Sequence, residues 1–260
     1  MTLNESTGLL NTSSGPNGNE VVEINTPPLA PHDSHEETHM LNTEVLRDAI
    51  IGLADGLTVP FALAAGLSSL ADTKLVVLAG FAELIAGSIS MGLGGYLATK
   101  SEMEHFEAER EREFYEVMHY PEAEEQEIVE IFEPYGITHK EMKPILDKLK
   151  LNPALYVDFM MKFELSLEKP NQYRSITSAA TIGSAYFVGG VIPLLPYVFS
   201  ESTTTGLIYS SMLTLIALFF FGIARARVIG LRGVYKSAFH TMMIGTVAAA
   251  ASYLMVKLTG

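Results

Sequence analysis

Thirteen glutamates crowd one stretch of the chain, residues 101–133. Only two arginines offset them, so the stretch has a net charge of −11, most of the −13 carried by the whole chain. Glu113 and Glu116 are three residues apart, as are Glu124 and Glu127, so each pair shares one face of a helix. Like charges at this spacing destabilise a helix, and a bound multivalent cation would remove that cost. The pattern indicates either a metal-binding surface or a solvated acidic face.

A second group of candidate ligands lies further along the same region. Met160 and Met161 precede Glu164 by four and three residues, which places the three side chains on one side of a helical turn. They can converge on a cation, or the two methionines can pack in a core. Because the chain contains no cysteine, a metal must use carboxylate, imidazole, thioether or backbone oxygen ligands.

Two histidines in the acidic stretch suggest a different metal chemistry. Glu102 with His105, and Glu116 with His119, each form an E-x-x-H pair, the spacing found in di-iron helical bundles. Thirteen glutamates near two histidines make such a match expected by chance. The pairs nevertheless define an alternative function: a membrane-anchored, ferritin-like oxidase or storage protein that binds iron in this stretch.

Two carboxylates occur in otherwise apolar segments. Asp55 is the only charged residue of Ala49–Ala71, and Glu83 is the only one of Leu75–Thr99. Met91 lies eight residues after Glu83, on the same helical face. An ionisable residue inside a membrane is costly and indicates function. A carboxylate with a thioether suits a borderline divalent metal such as Fe²⁺, although Met91 can also serve in packing.

The elements that must position these residues are long apolar helices. About 20 apolar residues are needed to cross the hydrocarbon core, and five segments of the chain reach that length. They are Ala49–Ala71, Leu75–Thr99, Ser175–Ser200, Ser202–Ala224 and Ser237–Val256. The sequence therefore predicts an all-α membrane protein with five transmembrane helices.

The composition divides the chain into four parts. Residues 1–42 are rich in Asn, Ser, Thr, Gly and Pro, which predicts a disordered cytosolic tail with no cleaved signal peptide. Residues 43–98 hold transmembrane helices 1 and 2, and residues 174–260 hold helices 3 to 5. Between them, residues 99–173 form an acidic helical insert, which we expect to be a cytosolic metal-binding domain.

Capping signals divide the insert into helices. Four are predicted: a continuation of the second span to about Met118, Pro121–Phe132, one opened by a Thr138–Glu141 capping box, and one running from Asn152-Pro153 to about Glu168.

Basic residues near the membrane ends predict the orientation. If the chain threads in and out alternately, Lys74 and Lys257 lie on one side of the membrane and seven basic residues on the other. These seven are Arg47, Lys100, Arg174, Arg225, Arg227, Arg232 and Lys236. The N-terminus and the insert are therefore expected in the cytosol, and the C-terminus on the lumenal side.

The chain resembles the vacuolar iron transporter family, and its fungal branch most closely. The resemblance runs from about Arg47 to Leu258. It rests on DGLTVPFALAAGLSSL, on GFAELIAGSISMGLGGYLA, on the Glu-rich insert and on the basic loop after the fourth span.

The resemblance implies a homodimer in the vacuolar membrane that exchanges cytosolic Fe²⁺, and also Mn²⁺, for protons. It implies no enzyme activity, no prosthetic group and no nucleic-acid partner, and it leaves other transition dications possible. Carried over by position, it implies a transmembrane metal and proton path of Asp55, Glu83 and Met91. The cytosolic metal ligands it implies are Glu113, Glu116, Glu124, Glu127, Met160, Met161 and Glu164.

Overall fold

The computed structural model of the protein describes residues 43–69 and 72–259. The predicted tail, residues 1–42, lies outside them. Eight α-helices make up the described part, with a short 3₁₀ turn at Glu133–Tyr135. They are α1 (Thr43–Leu67), α2 (Thr73–His119), α3 (Pro121–Phe132), α4 (His139–Leu149), α5 (Pro153–Phe163), α6 (Arg174–Val198), α7 (Thr203–Val228) and α8 (Val234–Thr259).

Five of these helices, α1, α2, α6, α7 and α8, are long and apolar enough to cross a membrane. The predicted fold class, an all-α membrane protein with five spans, is confirmed. Helix α2 continues well beyond its apolar half, for 47 residues in all, as the sequence predicts. Pro60 lies inside α1, which remains one helix on both sides of it.

Helix α6 packs between α1 and α2, and glycines allow a very close approach. A Cβ atom added to Gly56 of α1 would lie 2.9 Å from the Cα atom of Tyr186 in α6. A Cβ atom added to Gly92 of α2 would lie 2.9 Å from the carbonyl oxygen of Ala179 in α6. Backbones this close leave no room for side chains, so α1, α6 and α2 form a tight three-helix layer.

A buried ion pair joins the first turns of α1 and α6. The guanidinium of Arg174 donates a 2.6 Å hydrogen bond to Asp48, and both side chains are buried. A further 2.7 Å ion pair joins Arg174 to Glu44. A paired guanidinium and carboxylate compensate part of each other's desolvation cost, so this contact fixes the point at which the chain re-enters the spans after the insert.

The insert folds around the end of α2. Its core contains buried side chains from α2, α3, α4 and α5, among them Val117, Ile128, Leu146 and Tyr156. The predicted capping box is present: the backbone N–H of Thr138 donates a 2.8 Å hydrogen bond to Glu141 at the start of α4. Local start signals therefore set where these helices begin.

The end of α5 differs from the prediction. The helix stops at Phe163 rather than near Glu168. Ser166 has a φ angle of 54°, in the left-handed region, which turns the chain out of the helix. Glu164 thus becomes the C-cap residue of α5, and its N–H still bonds to the carbonyl of Met160.

Candidate metal centre

Three glutamates from three elements of the insert converge at one point. Glu113 lies on α2, Glu124 on the first turn of α3, and Glu164 at the C-cap of α5. Each offers a carboxylate oxygen, and these atoms all lie within 4.8 Å of one another. Glu113 and Glu124 are only 1% and 3% exposed. Within residues 43–69 and 72–259, no other three His, Asp or Glu side chains bring their ligand atoms this close together.

The same three side chains have unsatisfied oxygens. The Oε2 atoms of Glu113, Glu124 and Glu164 are buried and have no hydrogen-bond partner. A buried carboxylate without a partner is strongly unfavourable, so such groups need protons or a cation. A shared divalent cation would satisfy all three oxygens at once, and carboxylate oxygens are suitable ligands for Mn²⁺ and related dications.

Burial and mutual repulsion change the protonation of the cluster. Burial, followed by the charge of Glu127, raises the pKa of Glu124 to about 7. Burial, followed by the charge of Glu113, raises the pKa of Glu164 to about 7. The pKa of Glu113 is also raised, by burial and by Glu116. Near neutral pH the cluster therefore holds protons that a metal ion can replace.

Glu116 and Glu127 lie at the rim of this cluster. Both contribute repulsion that raises the pKa of Glu124, and Glu127 also shares a hydrogen bond with Glu164. Two carboxyl groups can share such a bond only when one of them is protonated. The guanidinium of Arg112 lies 3.6 Å from Glu113 and 3.8 Å from Glu116, so it neutralises part of the negative charge.

The two predicted methionine ligands lie in the core of the insert. Met160 is fully buried and Met161 is 2% exposed, and both pack with the apolar side chains of α2, α3 and α4. Their helix delivers Glu164 to the cluster. The placement of Met160 and Met161 as ligands stays a prediction.

The E-x-x-H pairs do not meet in a bundle. His105 is exposed, and its Nδ1 atom lies 3.9 Å from Glu109. His119 is also exposed and stacks on Tyr115 with a ring-centroid distance of 4.0 Å. Both histidines lie on α2, 14 residues and therefore about 21 Å apart along one helix. A di-iron bundle places its E-x-x-H pairs on facing helices, so this arrangement does not build one.

The predicted path residues lie on two of the spans. Asp55 is exposed on the surface of α1. Glu83 is partly buried, and one of its oxygens, Oε2, has no hydrogen-bond partner. Met91 packs beside the cluster formed by Leu84, Tyr186 and others between α2 and α6. Asp55 therefore lies on one span, α1, and Glu83 and Met91 lie on another, α2.

Sequence reasoning missed two residues that contact these sites. The hydroxyl of Tyr186 in α6 donates a hydrogen bond to Glu83. Tyr156 of α5 is 1% exposed, and its hydroxyl has no partner. Burial and then the charge of Glu124 raise the pKa of Tyr156. The only sequence signal for Tyr156 was its spacing, four residues before Met160 and eight before Glu164, which places it on the same helical face.

The chain matches a known protein family over most of its length. A family model described as "VIT family" matches residues 46–257. The chain belongs to the VIT family.

Curated VIT relatives cover most of the chain. Vacuolar iron transporter 1 of Oryza sativa subsp. japonica is 50% identical over 227 residues, covering 87% of this chain and 90% of the relative. Vacuolar iron transporter 1 of Arabidopsis thaliana is 49% identical over 226 residues, covering 86% and 90%. Protein CCC1 of Saccharomyces cerevisiae is 42% identical over 228 residues, covering 85% and 70%. The names of the two plant relatives describe transporters, not enzymes.

Proposed function

We propose that this VIT protein moves Fe²⁺, and also Mn²⁺, from the cytosol into the vacuole in exchange for protons. The observation that carries the proposal is the convergence of three buried carboxylates, Glu113, Glu124 and Glu164, at the end of the helix that also bears Glu83. A metal site on one side of the membrane and a carboxylate within it lie on the same element. The names of the relatives, vacuolar iron transporters, support iron as the cargo.

The insert collects the metal in this proposal. Glu113, Glu124 and Glu164 supply the central oxygens, and the other predicted ligands complete or support the site: Glu116, Glu127, Met160 and Met161. Raised pKa values keep protons on Glu124 and Glu164 near neutral pH. Metal capture then releases protons, so capture and release respond to local pH.

Asp55, Glu83 and Met91 form the path through the membrane. A dication favours ionised carboxylates, so its arrival at Asp55 and Glu83 displaces protons. An acidic lumen re-protonates the carboxylates and displaces the metal. The thioether of Met91 adds a soft ligand for Fe²⁺. The cycle drives metal toward the acidic compartment and protons toward the cytosol.

The proposed location is the vacuolar membrane, with the N-terminus and the insert in the cytosol and the C-terminus in the lumen. Seven basic membrane-end residues on the insert side against two on the other side support this orientation. The proposal also includes a homodimer. Asp55 is exposed on α1, and a carboxylate facing lipid is costly, so a second copy that covers this face would protect it.

Uptake into sealed vesicles tests the proposal. Proteoliposomes that contain the purified protein and have an acidic interior should accumulate Fe²⁺. Their pH gradient should dissipate as they do so, and no oxygen should be consumed. Asp55→Asn and Glu83→Gln should each abolish uptake while membrane insertion stays normal. Asp147→Asn, which changes an exposed carboxylate of α4, is the matched control and should transport normally. Wild-type uptake in Asp55→Asn or Glu83→Gln would exclude that residue from the path, and oxygen consumption would favour an oxidase.

A further inference from the structure

Three residues occupy the middle of the three packed spans. Asp55 is the middle residue of α1 (Thr43–Leu67), and Tyr186 is the middle residue of α6 (Arg174–Val198). Gly87 is the middle residue of Leu75–Thr99, the apolar part of α2. Because each span crosses the hydrocarbon core, these three positions lie at about the same depth.

Tyr186 connects the two helices that bear the proposed path. Its backbone packs against Gly56, the residue next to Asp55, where an added Cβ atom would lie 2.9 Å from the Tyr186 Cα atom. Its hydroxyl donates a hydrogen bond to Glu83 of α2. The side chain is only 2% exposed, so neighbouring residues enclose it in the metal-free protein.

The tyrosine ring also fills the space between Glu83 and Met91. Gly87 lies midway between them on the same face of α2, four residues from each. A Cβ atom added at Gly87 would lie 2.6 Å from the Tyr186 hydroxyl and 2.7 Å from its ring. The missing side chain of Gly87 is therefore replaced by the phenol of Tyr186. Met91 lies on the insert side of this phenol and Glu83 on the far side.

We propose that Tyr186 is the gate and the positioning residue at the middle of the path. Its ring separates Met91 from Glu83, and its hydroxyl holds one oxygen of Glu83 until a metal ion takes that oxygen. The other oxygen, Oε2, has no hydrogen-bond partner and is free to bind the arriving ion. A metal ion moving from Met91 to Glu83 displaces the phenol, and the phenol returns once the ion leaves. The gate rests on the proposed function, in which Glu83 and Met91 are successive stations.

Thiol labelling tests the gate without requiring transport. The chain contains no cysteine, so Met91→Cys introduces a unique thiol on the insert side of the phenol. A membrane-impermeant maleimide is applied in proteoliposomes from the far side of the membrane. Trypsin added outside cleaves the exposed insert and so identifies the orientation of each molecule.

Labelling of Met91→Cys from the far side should be slow with Tyr186 present. Tyr186→Leu keeps an apolar side chain but cannot cover Gly87, so labelling should rise about tenfold or more as the open population grows. Tyr186→Phe retains the ring and should label as slowly as the native residue. Equal labelling rates in all three backgrounds would overturn the gate.

Transport by Tyr186→Phe tests the positioning role. Without the phenol hydroxyl both oxygens of Glu83 lack a partner in the metal-free state, and a bound ion relieves this. The apparent KM for Fe²⁺ should fall by about tenfold, which is the effect expected of one hydrogen bond to a charged group. The maximal rate per molecule should also fall, because the more tightly bound ion is released more slowly. A purely structural role would lower the amount of folded protein and leave KM unchanged, and an unchanged KM would refute the positioning role.

The two measurements fail separately from the proposed function. If the wild-type protein moves no Fe²⁺ in vesicles but far-side labelling depends on the ring at position 186, the transport proposal is wrong, and the ring is shown only to block access to position 91. If transport is normal and labelling does not depend on Tyr186, the gate is wrong and the transport proposal stands.

Discussion

Metal binding to the insert should become steeply stronger as the pH rises toward neutral. Glu124 and Glu164 each have a pKa of about 7, so both carry protons at pH 5 to 6. A dication must displace both protons. For each displaced proton, the apparent dissociation constant falls by about tenfold for every unit by which the pH rises, as long as the pH stays below the pKa. The apparent dissociation constant should therefore fall by about 100-fold between pH 5 and pH 6 and level off above pH 8.

The assay is a titration of the full chain in detergent with Mn²⁺, in which the EPR signal of free Mn²⁺ reports binding. Glu124→Gln removes one of the two protons and should reduce the slope to about tenfold per pH unit. Glu122→Gln removes the same charge from an exposed position of α3 and should keep the wild-type slope. Equal slopes in the wild type and Glu124→Gln would refute the proton-loaded cluster.

The same cluster should make the metal-free fold less stable as pH rises. The folded state holds protons that the unfolded state, with an ordinary pKa of 4.5, releases earlier. Stability is therefore unaffected below pH 4.5, falls between about 4.5 and 7, and stays low above that. The difference between these two pKa values corresponds to about 3 kcal/mol for one carboxyl group. Added Mn²⁺ should restore the loss at pH 8, and thermal unfolding with and without metal measures it.

Three further predictions concern the spans. Met91→Leu conserves volume, so it should lower Fe²⁺ uptake more than Mn²⁺ uptake, and unchanged initial rates with both metals would leave Met91 a packing residue. Gly56→Ala places a Cβ atom against the backbone of α6 and should lower the melting temperature. In the control, Gly94→Ala, the added Cβ atom meets nothing within 4 Å, so the melting temperature should not change. Equal melting temperatures for the two variants would refute the close approach. Arg174→Gln leaves the buried Asp48 with only the more distant Arg47, 3.7 Å away, as a cation, and should cost about 3–5 kcal/mol of unfolding free energy. Adding Asp48→Asn should restore part of this loss, and a double variant no more stable than the single would argue against the pair.

Helix beginnings in this protein could be predicted from local sequence. The Thr138–Glu141 capping box and the Asn152-Pro153 start each act through residues three positions apart or fewer, and both are present in the structure. The end of α5 could not be predicted in this way. No glycine or proline follows Phe163 until Pro170, and the turn depends instead on a left-handed serine, Ser166.

The centre of the metal site could be only partly predicted. Spacing showed which glutamates share a face of α2 or α3, but several acids share each face. Packing against α5 decides that Glu113 and Glu124 are buried while Glu116 and Glu127 lie at the rim. Which glutamates point inward depends on where a third helix, α5, packs. The sequences of α2 and α3 alone do not indicate that position.

Contacts between residues far apart in the sequence could not be predicted from local sequence patterns. Tyr186 and Glu83 are separated by 103 residues, and Arg174 and Asp48 by 126. Neither pair belongs to a recognisable spacing, because each arises where α6 crosses another span. The apolar composition of α6 predicted a membrane helix but gave no reason to select one tyrosine from it.

The unbroken length of α2 has a mechanical consequence. Glu83 and Glu113 are 30 residues apart on this single rod, a distance of about 45 Å. If the rod pivots by about ten degrees at the depth of Glu83, its far end sweeps through about 8 Å, more than the spread of the three clustered carboxylates. Small rocking of one span would thereby be amplified into a movement that makes or breaks the proposed ion site well outside the bilayer. The rigid helix would then couple metal loading at that site to movement within the membrane.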